Sequence, residues 1–186
     1  MKNNNTSDKQ GTVKKLFEVR KLIAYNLTRP FISLLARTPL TPNIISLFGL
    51  LTTIGAAVLI INGHLLAAGF VVIFAGFFDV LDGALARATD RTTKFGAFLD
   101  STFDRLTEAI LLLGILILVI EDSQAFSIVL VYLAFVGGML VSYIRSRAEA
   151  LGLDCQIGLC TRTERVVVLA LGLLLDQIII ALVIIV

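Results

Sequence analysis

The chain has 186 residues, 57% of them apolar and 16% charged, with a formal net charge of +2. Soluble domains carry about a quarter charged residues. So low a charge content beside a strongly positive mean hydropathy excludes a water-soluble globular fold and points to a polytopic helical membrane protein, with no soluble domain large enough to fold alone.

Met1–Lys21 is polar and basic, without an apolar stretch ahead of a cleavage site, so no cleavable leader is expected. Four apolar runs follow: Ile44–Ile61, Leu65–Phe78, Leu106–Ile120 (broken only by Thr107 and Glu108) and Ala125–Ile144. The first and fourth approach the roughly 20 residues that a spanning helix needs. The second and third reach it only by continuing through polar ends that carry aspartates. A fifth helix opens at Arg162-Thr163-Glu164-Arg165. Beyond Asp176-Gln177, nine residues remain, Ile178–Val186, and nine helical residues cover about 14 Å. A sixth helix would therefore stop halfway across. Reading Val166–Val186 as one span instead leaves Asp176 buried and unpaired.

The basic residues give the orientation. Of sixteen, Lys2, Lys9, Lys14, Lys15, Arg20, Lys21, Arg29 and Arg37 precede the first span. Arg87, Arg91, Lys94 and Arg105 lie around the second connection, and Arg145, Arg147, Arg162 and Arg165 around the fourth. The turns Asn62–His64 and Glu121–Gln124 carry none. All basic residues thus fall on one side, which the positive-inside rule assigns to the cytoplasm, together with the N-terminus. They follow the membrane boundary, and no nucleic-acid partner is expected.

Four acids share that side: Asp79, Asp82, Asp100 and Asp104. An ionised side chain at membrane depth costs roughly 2.5–3.5 kcal/mol, so four of them call for a neutralising cation. Asp79 and Asp82 are spaced i, i+3 at the end of the second span. Asp100 and Asp104 are spaced i, i+4 near the start of the third. Each pair occupies one helix face. The polar turn Ala88–Lys94 can set the two pairs opposite each other, and Gly83 and Gly96 allow a close approach of backbone or ligand. Hard carboxylate oxygens suit a pair of Mg²⁺ ions, or Mn²⁺ in their place, rather than zinc. Arg87 is placed to steady a diphosphate through paired hydrogen bonds. Arg145 and Arg162, joined by a compact loop, can flank an anion beside the metals. Simple anchoring at lipid headgroups is the competing role, most of all for Arg147, which points away from Arg145 on a helix.

His64 is expected to be solvated in an outer turn, and Cys155 and Cys160 to remain free thiols. Gly137 and Gly138 are expected to serve helix packing. Glu108 either faces the polar cavity or pairs with Arg105.

The pattern D-x2-D-G-x2-A-R-x8-G-x3-D-x3-D, from Asp79 to Asp104, resembles the signature of the CDP-alcohol phosphotransferases, integral membrane enzymes of phospholipid synthesis. All eight signature positions are present. The resemblance covers nearly the whole chain. It implies an all-α integral membrane protein, with six transmembrane helices around a polar cavity and an N-terminal amphipathic interfacial helix, assembled as a homodimer in the cell membrane. On this scheme residues 1–12 form a polar tail. Residues 13–37, with Leu16, Phe17, Leu22, Ile23, Phe31 and Leu34 among basic residues, form the surface helix. Residues 38–186 form the catalytic domain, whose sixth helix is shorter than the family's.

By the same resemblance two metal ions bridge Asp79, Asp82, Asp100 and Asp104 to the diphosphate of a CDP-linked lipid, and Asp104 also acts as general base on the acceptor hydroxyl. Asn43, Ile44, Ile45 and Ser46, with Gly83, Arg87 and Thr93, would contact the CDP-lipid. The segments Ser142–Glu149 and Arg162–Arg165 are similar to those of the branch that makes phosphatidylinositol phosphate or archaetidylinositol phosphate. This implies an acceptor-phosphate pocket of Ser142, Arg145 and Arg165, with Arg147 and Arg162 beside them. Glycerol 3-phosphate is the competing acceptor, and either a diacyl or a diether lipid fits the lipid-facing apolar positions. Two other classes answer to acids in a membrane. An intramembrane prenyltransferase would have two carboxylate motifs far apart, and a divalent-cation transporter would place acids at the midplane in paired half-repeats. Neither matches four acids gathered in one hairpin at one face.

Overall fold

The computed structural model describes residues 31, 32, 35, 38, 40–90, 92–121, 125–153 and 161–186. Most of the interfacial segment, Arg91, and Cys155 and Cys160 therefore lie outside the described residues. The described chain is helical: α1 (Pro42–Ile61), α2 (Leu65–Ala88), α3 (Lys94–Glu121), α4 (Ala125–Ala150), α5 (Arg162–Leu174) and α6 (Ile178–Ile185).

Local sequence sets each boundary. Pro42 opens α1 at a position where the missing N–H costs nothing. The second and third apolar runs do continue through their acidic ends, giving helices of 24 and 28 residues. Between them, Thr89 Oγ1 donates back to Leu85 O at 2.8 Å. Asp90 then adopts φ 52°, a left-handed turn that short polar side chains tolerate. Thr93 Oγ1 accepts the Gly96 N–H at 2.9 Å and closes the first turn of α3. A capping box opens α5: Thr161 Oγ1 accepts from the Glu164 amide, while the Thr161 amide donates to Glu164 Oε2 at 2.7 Å. This cap makes Arg162 the first residue of the helix. At the other end α5 stops at Leu174, because Asp176 sits at φ 55° in an exposed turn. Val166–Val186 is thus two helices, and Asp176 is not a buried acid.

Each helix packs on two neighbours, in the ring α1–α2–α5–α6–α4–α3 and back to α1. Leu111, Leu112 and Ile115 of α3, Leu169 and Leu173 of α5, and Ile60, Val72 and Leu182 fill the middle of the ring. This apolar plug lies away from the ends that carry the acids. A second apolar cluster, Ile45, Leu81 and Leu85, receives Ile32 and Leu35 from the chain preceding α1, and Phe31 meets Phe77 edge-on at 5.2 Å. Outward-facing positions are apolar as well, including Phe70, Phe126, Tyr132 and Leu140. In water such a surface would aggregate, whereas in lipid it is the expected one. Among the described residues three helices, α1, α2 and α4, have the length and hydropathy to cross a bilayer.

Helices α1 and α3 cross closely at Gly114, where a Cβ would lie 3.2 Å from the Ala57 Cα and carbonyl oxygen. Backbone cannot yield as a side chain does. Gly114→Val is expected to destabilise the protein by about 1–3 kcal/mol. A thermal melt in detergent checks this, and an unchanged melting temperature would show that α1 and α3 can separate.

Candidate active site

Helix geometry gathers the acids as their spacing predicts. Asp79 and Asp82 project from the end of α2, and Asp100 from the first turns of α3. One carboxylate oxygen from each of these three lies within 4.8 Å of the others. Asp82 is the most enclosed, at 4% exposure, and Ser46 Oγ of α1 donates to its Oδ2. Three hard oxygens converging on one point, with no nitrogen or sulfur donor, fit an alkaline-earth or manganese ion. Asp104, one turn deeper on α3, is engaged differently. Arg162 places one Nη on Asp104 Oδ1 and, at 2.9 Å, on Asp79 Oδ2. Its other Nη donates to Thr107 Oγ1 at 2.7 Å, and the buried Nε–H has no partner among the described residues.

Two chambers meet at the acids. The larger, about 210 Å³, is lined by Asn43, Ser46, Asp82, Gly83, Arg87, Thr93, Gly96 and Asp100. The Arg87 guanidinium lies over Gly83, where a Cβ would make ordinary contact with its Nη1 at 3.5 Å. The smaller, about 30 Å³, lies toward the membrane interior, between the acids, Thr53, Thr107 and Arg162, over a floor of Leu50, Val72 and Leu111. Ser46, Asp82 and Asp100 line both.

The remaining sequence candidates divide. Asn43 and Ser46 face the larger chamber, whereas Ile45 is buried against Leu81 and Leu85, and Ile44 is exposed. Arg145 is exposed and pairs with Glu149 along its own helix at 3.5 Å. Arg147 is exposed, and Ser142 is half-buried. The Ser142 carbonyl accepts a long 3.5 Å contact from Arg105. Arg165 is buried and grips Glu108, with Nε to Oε1 at 2.6 Å and Nη2 to Oε2 at 2.8 Å. Glu108 therefore pairs with Arg165 and not with Arg105, whose Nη1 donates to Ser101 O. The spacings held this signal: Asp100, Asp104 and Glu108 recur at i+4 on α3, and Arg162 and Arg165 at i+3 on α5.

A family model described as CDP-alcohol phosphatidyltransferase matches residues 39–186. The chain belongs to that family. Among curated relatives, archaetidylinositol phosphate synthase of Methanothermobacter thermautotrophicus is 40% identical over 77% of this chain and 72% of its own. Phosphatidylinositol phosphate synthase of Mycobacteroides abscessus is 35% identical over 78% and 67%. Among solved structures, Mycobacterium tuberculosis phosphatidylinositol phosphate synthase with CDP-DAG bound superposes with a TM-score of 0.75, at 29% identity over 86% of this chain and 88% of that one. The same enzyme in complex with manganese and citrate gives 0.78, at 30% identity over 85% and 81%. This chain is thus a phosphatidyltransferase of the CDP-alcohol type, and its acid cluster is the part of the family architecture suited to a divalent metal.

Proposed function

We propose that this transferase moves the phosphatidyl-type group of a CDP-linked lipid onto a hydroxyl of inositol phosphate and releases CMP. The observation that carries the reading is the junction itself: converging acids with the Arg87 chamber on one side and Arg162 on the other. The relatives named for inositol phosphate products support the choice of acceptor.

The larger chamber receives the nucleotide diphosphate, with Arg87 as bidentate donor and Gly83 and Gly96 leaving space for its oxygens. Asn43 and Ser46 line its α1 wall. Asp79, Asp82 and Asp100, joined by Asp104, would hold two divalent ions, Mg²⁺ in the cell and Mn²⁺ as a substitute. Bound there, the metal centre supplies neutralisation of the charge that develops on the departing CMP. The acceptor oxygen attacks the lipid-side phosphorus, the bond from that phosphorus to the CMP oxygen breaks, and Asp104 takes the hydroxyl proton. Arg162 holds the acceptor phosphate with its Nε–H and the Nη donor that also reaches Asp79 and Asp104. Arg145, Arg147 and the Ser142 segment form the outer rim of that pocket, at the cytoplasmic face.

The full chain is proposed to set six helices in the bilayer, with α5 and α6 sealing the ring and α6 reaching only part of the way across, and to place residues 13–37 along the cytoplasmic surface. It is proposed to pair as a homodimer through its exposed apolar faces.

The test is CMP release by purified protein supplied with CDP-diacylglycerol and Mg²⁺ or Mn²⁺. Release is expected with inositol phosphate and not with free inositol. Release with glycerol 3-phosphate alone would reassign the acceptor, and silence with every phosphorylated alcohol would overturn the transfer reading.

A further inference from the structure

Glu108 and Arg165 form a fully engaged ion pair inside the helical ring, with side chains 7% and 2% exposed. Glu108 lies one turn along α3 from Asp104, and Arg165 one turn along α5 from Arg162. Arg162 meets Asp104, so two helices running in the same direction are joined by two successive charged rungs. The backbone of α5 packs chiefly on α2 and α6. Its link to α3 at this level runs through these long side chains.

That arrangement keys the axial position of α5. A slip of one turn, about 5.4 Å, would re-pair one acid and one arginine of the two rungs and strand the others. Either Glu108 or Arg165 would then lose its partner in an apolar interior, which is strongly destabilising. Gly138 of α4 makes the pair possible. A Cβ there would fall 2.8 Å from Glu108 Oε1 and 3.3 Å from Arg165 Nε, and the Gly138 carbonyl accepts Arg165 Nη2 at 3.5 Å.

We propose that Glu108 is a positioning residue: by holding Arg165 it sets how far α5 reaches, and so delivers Arg162 to Asp79 and Asp104. Arg165 then serves as the anchor of the helix, and Arg162 is the arginine that works at the site. The kinetic part of the test rests on the proposed transfer reaction, and the metal-binding part does not.

The test compares Glu108→Gln, Arg165→Met and the double variant Glu108→Leu/Arg165→Met, each as full-length protein in detergent. Replacing a buried ion pair by apolar groups of similar volume is often neutral or stabilising. The double variant is therefore expected to melt no lower than the parent and to keep the parent's KM for CDP-diacylglycerol. Its KM for inositol phosphate is nonetheless expected to rise about tenfold, the loss of one hydrogen bond from Arg162 to a charged group. Each single variant is expected to raise that KM alike, and the double no further, because the two residues act as one unit.

Mn²⁺ affinity, measured by electron paramagnetic resonance, reads the same displacement without turnover. With Arg162 drawn away from Asp79 and Asp104, Mn²⁺ is expected to bind about threefold tighter, the worth of a partly exposed ion pair. Parent-like acceptor KM and Mn²⁺ affinity in the double variant would overturn the proposal. So would a raised acceptor KM in Arg165→Met with none in Glu108→Gln, since Arg165 would then touch the acceptor itself. Silence of the parent with every acceptor strikes the transfer reading alone and leaves the Mn²⁺ comparison to decide.

Discussion

Asp104→Asn is expected to lower the rate of CMP release by about 10²–10⁴-fold while leaving the affinity for CDP-lipid nearly unchanged. The magnitude is that of a lost general base. The separation of the two effects follows from placement. The chamber assigned to the nucleotide is lined by Asn43, Gly83, Arg87, Thr93 and Gly96, without Asp104. Asp104 also stands apart from the three acids whose oxygens converge, with Arg162 on its Oδ1. Asparagine keeps the shape and an oxygen for Arg162 to meet, but it cannot take a proton from the attacking hydroxyl. Asp104→Ala would remove that oxygen as well and perturb the acceptor pocket, so the isosteric change is the cleaner probe. Single-turnover measurement of CMP release, with CDP-lipid binding followed in parallel, checks the outcome. Full activity in Asp104→Asn would assign the proton to another group.

The strength of the sequence signal tracked how local each feature is. The acids are readable because their spacing within two helices dictates a shared face, and because the polar turn between those helices leaves few ways to arrange them. Termination of α5 at Leu174 was equally legible, since an acid followed by glutamine interrupts an apolar run. Helix lengths for α2 and α3 required accepting charged ends as part of a helix, and the apolar runs alone would have cut both short.

What stayed hidden depends on which helices become neighbours in space. Nothing within α3 says that Glu108 will meet an arginine 57 positions later rather than its own neighbour Arg105. Nor does anything in α5 say which arginine turns inward. The ring order α1–α2–α5–α6–α4–α3 decides both, because it sets α5 across the polar gap from α3. The same order separates residues that sequence proximity had grouped: Arg145 stays at the rim beside Glu149, whereas Arg162 enters the acid cluster. Asn43–Ser46 shows the limit of a motif read as a block. A helix starting at Pro42 turns Ser46 toward the acids, but it also buries Ile45 in the packing and turns Ile44 outward.

Asp82→Asn is expected to abolish stabilisation by Mn²⁺ while leaving the metal-free protein as stable as the parent, or more so. Three carboxylates confined within 4.8 Å repel one another when no cation lies between them, and Asp82 is the most enclosed of the three. Its neutral isostere relieves that repulsion, while the Ser46 hydroxyl still finds an oxygen to donate to. The metal-free melting temperature should therefore hold or rise. With metal the sign reverses. A ligand that binds only the folded state stabilises it by RT ln(1 + [L]/Kd), about 2.7 kcal/mol at a hundredfold excess over Kd. Losing one of three anionic donors raises Kd enough to erase that gain at the same Mn²⁺ concentration, and turnover falls with it. Melting curves of parent and variant, each with and without Mn²⁺, give the four temperatures needed. A merely structural Asp82 would lower both of the variant's temperatures together. An equal Mn²⁺-dependent rise in parent and variant would remove Asp82 from the metal site, because only a ligand couples the substitution to the ion.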